Sequence, residues 1–181
     1  MPNNFAGNFG LRGLAKWATA VGDRRSAKGW SRLFDSGPAF GHALRRLYDC
    51  LTFDHSSPGA MRPLYADFLL EASDVLGDPA LREIADRYEA AGAVWSEIAD
   101  TAVAGSLAPY RSLVERRLEL LLGGSSPEEM HALARDVEAF TAGLDVAAAD
   151  RVAELDALAE LAARVVPLEE QACAALRDVA G

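Results

Sequence analysis

Apolar positions recur along most of the chain in steps of three and four residues, and no stretch sustains the strict alternation of a half-buried strand, so the pattern predicts an all-α fold. The clearest stripe is Leu81, Ile84, Tyr88, Ala91, Trp95, Ile98 and Ala102, one face of a long helix. Just before it, Leu76-Gly77-Asp78-Pro79 places Gly at a helix end, Asp at the next N-cap and Pro at the first helical position. Such a turn folds its two flanking helices antiparallel. In the helix that leads into it, which Pro63 should open, Met61, Leu64, Tyr65, Phe68, Leu69, Ala72, Val75 and Leu76 share one arc at 100° per residue and are predicted to be buried.

The same reading gives a helix over about 9–21, capped by Asn8, with Leu11, Leu14, Ala18 and Val21 inward. A loop over 22–37 holds one helical turn around Trp30 to Phe34, and a helix over about 38–53 buries Phe40, Leu44, Leu47, Tyr48 and Leu51. A shorter helix spans about 109–122. Ser126-Pro-Glu-Glu129 combines an N-cap Ser, Pro at the first position and Glu three residues after the cap, a helix start with a capping box. From Met130 to Val165 the apolar positions stay in helical phase past Gly143, which predicts one long helix. Pro167 should kink or end it, with a last segment carrying Leu168, Ala172, Leu176 and Val179. The expectation is a single domain over 1–181, a bundle of six or seven helices with a long C-terminal helix kinked near Pro167.

Charge divides this domain. The net charge is −9, yet residues 1–57 hold eight Lys and Arg against four Asp, whereas residues 58–181 hold ten against twenty-three Asp and Glu. A nucleic-acid partner is unexpected for so acidic a chain, because phosphate binding works through Lys and Arg displacing counterions. An anionic protein partner would meet the first third, where Arg12, Lys16, Arg24, Arg25, Lys28 and Arg32 are interleaved with Trp17 and Trp30. A solvated loop explains the same residues. No apolar run is long enough for a membrane span, no signal peptide is legible, and Cys50 and Cys173 read as free thiols, so a cytoplasmic location is expected.

Catalytic motifs are sparse. Glu128-x-x-His131 has the spacing of a dinuclear metal motif, but that site needs a second copy and two more Glu, so a helix start explains it better and no metal or cofactor is expected. Cys50 as nucleophile would need a histidine; His42 lies about 12 Å away along a continuous helix by its rise, and His55 would have to fold back from a loop. No catalytic residue is assigned. Arg62 and Tyr65 remain as candidate binding residues, beside Arg24, Arg25, Lys28 and Trp30. Arg62 sits at the positive end of its helix dipole, which calls for an acidic partner from another element.

Asn3-Asn-Phe-Ala-Gly-Asn-Phe-Gly-Leu-Arg-Gly-Leu-Ala-Lys-Trp17, Met61-Arg-Pro-Leu-Tyr-Ala-Asp-Phe-Leu-Leu-Glu-Ala72 and Trp95-Ser-Glu97 together resemble the helical C-terminal domain of proteins similar to butirosin biosynthesis protein H. The resemblance implies an N-terminal papain-like domain, in cis or in trans, that supplies the catalytic cysteine and histidine for acyl transfer from an acyl carrier protein to an aminoglycoside amine. It carries no catalytic residue onto this chain. The expected function is therefore a non-catalytic part of a papain-like acyltransferase of specialised metabolism. The alternative is a stand-alone interaction domain that forms a homodimer.

Overall fold

A computed structural model describes residues 7–54 and 56–180, and among them helices joined by turns and loops, with no strand, make up the fold: α1 (Gly10–Gly22), α2 (Trp30–Leu33), α3 (Gly37–Thr52), α4 (Arg62–Leu76), α5 (Ala80–Ala102), α6 (Tyr110–Gly123), α7 (Pro127–Ala142) and α8 (Ala148–Ala180). None of these helices is long and apolar enough to cross a membrane. His55 and Asn3 to Ala6, part of the first string above, lie outside the described residues.

The centre is the antiparallel pair α5 and α8, as Arg164–Glu97, Glu169–Trp95 and Cys173–Tyr88 contacts show in order along the two helices. Every residue of the α5 stripe is buried. Helices α1 and α3 complete the larger cluster around Phe40, Leu44, Ile98, Leu107, Leu155 and Leu158, while α4 packs with the first half of α5 and the end of α8 in a smaller one around Leu69, Leu81, Ile84 and Ala172. Local signals hold where their chemistry is local. Ser126 and Glu129 form the reciprocal capping box, Gly77 ends α4 in the left-handed region, and the Asp78 carboxylate accepts the Ala80 N–H.

Other expectations change. Asn8 does not cap α1; its side chain accepts from Lys16, and Phe9 occupies the cap position. The helix expected from 130 to 165 is two helices, parted at Gly143–Ala147; with the short α2 this gives eight helices among the described residues rather than six or seven. The break is enforced by packing: α3 carries Gly37 and Gly41 opposite Leu144, where an added Cβ would stand 2.1 Å from the Leu144 carbonyl oxygen and 2.4 Å from its Cδ1. Leu144 fills that slot and Val146 is buried beside it, which outweighs continued helical phase. Consequently Val152, predicted inward, is exposed. Of the two outcomes expected at Pro167, a kink or an end, the end does not occur: Pro167 lies inside α8, which runs on to Ala180. Both Pro167 and Ala163, whose carbonyl loses its donor, face solvent, so water can take the missing bond.

The rotation of α4 differs most. Ala66, Leu69 and Ser73 are its buried residues, with Arg62, Tyr65 and Ala72 half-buried beside them. Met61, Leu64, Phe68, Val75 and Leu76 are exposed. With only α5 and the end of α8 to pack against, α4 can bury one side of its apolar arc.

Candidate functional site

Arg62 is placed by an unusual turn. Gly59, Ala60 and Met61 follow one another at φ +71°, +52° and +64°, a left-handed turn that costs roughly 1–2 kcal/mol for each non-glycine residue. The Gly59 carbonyl accepts the Arg62 N–H at 3.0 Å, and the Arg62 guanidinium donates back to the Ala60 carbonyl at 3.0 Å. Helix α5 offers Gly92 at the point of contact. An added Cβ there would stand 2.8 Å from Pro63 Cδ and 3.1 Å from Arg62 Cβ, so only glycine lets the first turn of α4 rest on α5. Arg62 is the first helical residue, so α4 begins one residue earlier than Pro63 at N1 would have it, and Arg62 stands inside the helix rather than before it.

From this seat Arg62 Nε donates to Glu169 Oε1 at 2.7 Å, and the Trp95 indole N–H donates to the same oxygen at 2.7 Å. Glu169 is only 2% exposed. Its charge is tolerable in the interior because two donors converge on it and one is a cation. This is the acidic partner from another element that Arg62 required. Trp95 in turn packs on Trp17 at 5.7 Å between ring centroids, Trp17 on Trp30 at 6.3 Å, and Trp30 on Phe34 at 5.2 Å. An aromatic ladder thus joins the basic N-terminal region to the Arg62–Glu169 pair. One turn further along α8, Cys173 Sγ lies 3.7 Å from the Tyr88 hydroxyl, whose pKa burial, with the neighbouring thiol, pushes upward. A cleft of about 440 Å³ opens over the pair between α1, α4 and α8, walled by Leu11, Leu14 and Arg177.

The sequence-selected residues fall into two groups. Arg62 and Tyr65 sit within one helical turn on α4, but Tyr65 turns to the core, edge-on to Tyr88 at 4.7 Å between centroids. Arg24 is pinned to Asp156 and reaches the Val21 and Val152 carbonyls, which ties the loop after α1 to α8. Trp30 belongs to the ladder, whereas Arg25, Lys28 and Arg32 are exposed. A cleft of about 560 Å³ beside them carries Lys16, Lys28 and Asp23. Asp23 is held below the usual carboxylate range by the backbone N–H groups of Ser26 and Arg25. Glu169 and Trp95, which complete the Arg62 pair, were invisible to spacing because 107 and 74 residues separate the bonded partners.

Among the described residues no nucleophile–base pair forms at Cys50; His55, the other candidate base, lies outside them. The Cys50 thiol accepts from Arg46 at 3.4 Å, and α3 is continuous, so His42 stays two turns away with Arg45 as its neighbour. Among the described residues no group of three His, Cys, Asp or Glu could hold a metal ion; Glu128 and His131 face solvent. What the region around Arg62 does offer is a rigidly anchored helix with an open apolar side. Leu64, Phe68 and Val75 are 54%, 57% and 77% exposed, more than isolated surface residues of a packed helix require. Asp67, Glu71 and Asp74 flank them.

A family model described as a domain of unknown function, DUF4872, matches residues 1–121. No curated protein and no solved structure matches the chain.

Proposed function

We propose that this chain, which belongs to the family of the domain of unknown function DUF4872, is a non-catalytic helical domain that docks onto a catalytic partner through the exposed apolar face of α4. The observation that carries the reading is the pairing of an anchor with an open face. Arg62, Glu169 and Gly92 fix α4 on the bundle, while Met61, Leu64, Phe68 and Val75 remain uncovered. An amphipathic helix seated in a partner's groove uses residues at this spacing.

The resemblance to butirosin biosynthesis protein H-like proteins supplies the partner's class, a papain-like acyltransferase of specialised metabolism such as aminoglycoside biosynthesis. The three strings that carry it, Asn3 to Trp17, Met61 to Ala72 and Trp95 to Glu97, lie within the residues matched by the family model. The charge pattern supports a partner of different sequence over a second copy. Symmetric pairing of α4 would set Asp67, Glu71 and Asp74 against the same carboxylates, and like charges across an interface are repulsive. An apolar groove with basic flanks fits better. The exposed Arg25, Lys28 and Arg32 suit an acidic carrier protein.

The test is acyl transfer by a papain-like acyltransferase domain with and without this chain. Transfer is expected only when the papain-like domain is present, and more of it when both are. Transfer by this chain alone sinks the proposal.

A further inference from the structure

Glu169 is held through one oxygen only. Arg62 Nε and the Trp95 indole N–H both converge on Oε1, and Oε2 receives no donor among the described residues. That second oxygen is not sealed in the interior. Among the described residues, Arg45 Nε is the one side-chain nitrogen or oxygen that is at once buried from any probe and without a partner. Oε2 therefore opens on the cleft of about 440 Å³ between α1, α4 and α8, in whose wall Glu169 stands. A carboxylate this deeply buried ordinarily has donors on both oxygens.

Two guanidiniums border the same cleft with donors unused. Arg62 bonds Glu169 through Nε and the Ala60 carbonyl through Nη1, which leaves Nη2 without an acceptor among the described residues. Arg177 lies two turns beyond Glu169 on α8, its side chain exposed. Leu11 and Leu14 of α1 add apolar surface beside them. The cleft thus offers an acceptor next to cationic donors, with one positive charge in excess. A ligand of one negative charge balances it. A neutral N–H suits Oε2 better than an ammonium, which would stand among two guanidiniums.

We propose that this cleft binds an N-acylated apolar amino acid, free or as the last residue of a peptide. The carboxylate lies on Arg62 Nη2 and Arg177, the amide N–H donates to Glu169 Oε2, and the side chain rests against Leu11 and Leu14. The carboxylate and the N–H share one α-carbon, as the Arg62 and Glu169 groups that receive them share one ion pair. The site goes beyond docking through α4, because Leu64, Phe68 and Val75 do not line it.

Calorimetric titration of the full chain with N-acetyl-leucine, its carboxamide and its N-methyl derivative tests the assignment, since the second lacks the charge and the third the N–H. N-acetyl-leucine should bind, with each analogue at least about tenfold weaker. Arg177→Glu, at an exposed position, should weaken N-acetyl-leucine as much while the helical circular dichroism is unchanged. Phe68→Glu should bind it as wild type does, so failure here and failure of docking are read separately. A peptide ending in leucine that binds at least as tightly assigns the cleft to chain ends; one that fails where N-acetyl-leucine binds assigns it to the free compound. No heat from N-acetyl-leucine at millimolar concentration overturns the proposal and leaves Oε2 to water. Equal binding of the carboxamide or the N-methyl derivative, or binding untouched by Arg177→Glu, overturns it too.

Discussion

Arg62 at the head of α4 and Glu169 near the end of α8 meet at 2.7 Å across 107 residues of chain, and Trp95 donates to the same carboxylate oxygen. The pair sets how α4 is turned, and so which of its apolar residues face outward. Arg62→Met leaves Glu169 buried with only the indole donor. Loss of one partner of a buried pair costs several kcal/mol, and because the Arg62 side chain is 33% exposed, water relieves part of that. We expect a loss of about 2–3 kcal/mol in urea denaturation. The double variant Arg62→Met with Glu169→Leu should recover part of it, since no buried charge then remains. Equal losses in the single and double variants would show that the carboxylate is not what Arg62 neutralises.

Gly92→Ala tests the seat itself. The added methyl meets Pro63 and Arg62, at 2.8 and 3.1 Å before relaxation. Overpacking of this kind costs about 1–3 kcal/mol. Hydrogen exchange should show faster opening of α4 than of α3, because only α4 is lifted. Unchanged exchange on α4 would mean that the contact is slack.

Pro167→Ala should stabilise the protein by about 1–3 kcal/mol, since alanine restores a helix donor at an exposed interior position where proline is penalised by about 3. A loss of thermal stability would show that α8 needs the proline's shape.

Two aspartates on or beside α3 should respond oppositely to acid. Burial raises the pKa of Asp49, with the Tyr110 bond partly offsetting it. The unfolded chain then ionises first as pH rises, so Asp49 destabilises the fold at neutral pH and the penalty lifts as pH falls through its raised pKa toward 3.8. At Asp54 burial also raises the pKa, but Arg46 and Arg117 together outweigh it and the net shift is downward. Its stabilisation is present above 3.8 and is lost as pH falls through the lowered pKa. Wild type should therefore gain on Asp49→Asn between neutral and mildly acidic pH. Against Asp54→Asn it should lose only in stronger acid. Parallel pH profiles for the two variants would contradict this.

How legible these features were in sequence follows the range of the forces behind them. The α5 stripe, the Ser126–Glu129 box and the Gly77 helix end depend on neighbours within a few residues and stand as read, whereas Pro79, read as the first residue of α5 after an Asp78 cap, takes the cap position itself and α5 begins at Ala80. The need for an acid beside Arg62 was legible from the helix dipole, but the choice of Glu169 was not, because nothing local links α4 to the end of α8. Phase misled twice. Met130 to Val165 keeps a helical repeat across a break set by Leu144 entering the Gly37 and Gly41 slot, and α4 carries more apolar surface than its two neighbours can cover. Arg62, Glu169 and Arg177 gave no motif, since their cleft exists only once α1, α4 and α8 are assembled.

The most direct measurement of the central claim is binding of the intact chain to a papain-like acyltransferase domain from the same genome, wild type beside Phe68→Glu and Leu64→Glu. Both positions are exposed, so stability should change by no more than about 0.5 kcal/mol. Wild type should bind, and each variant should weaken the complex at least about tenfold while keeping its fold. Binding unaffected by either variant, or no binding by wild type, would contradict docking through α4; a wild-type dimer that Phe68→Glu splits would assign the face to a second copy of the chain instead.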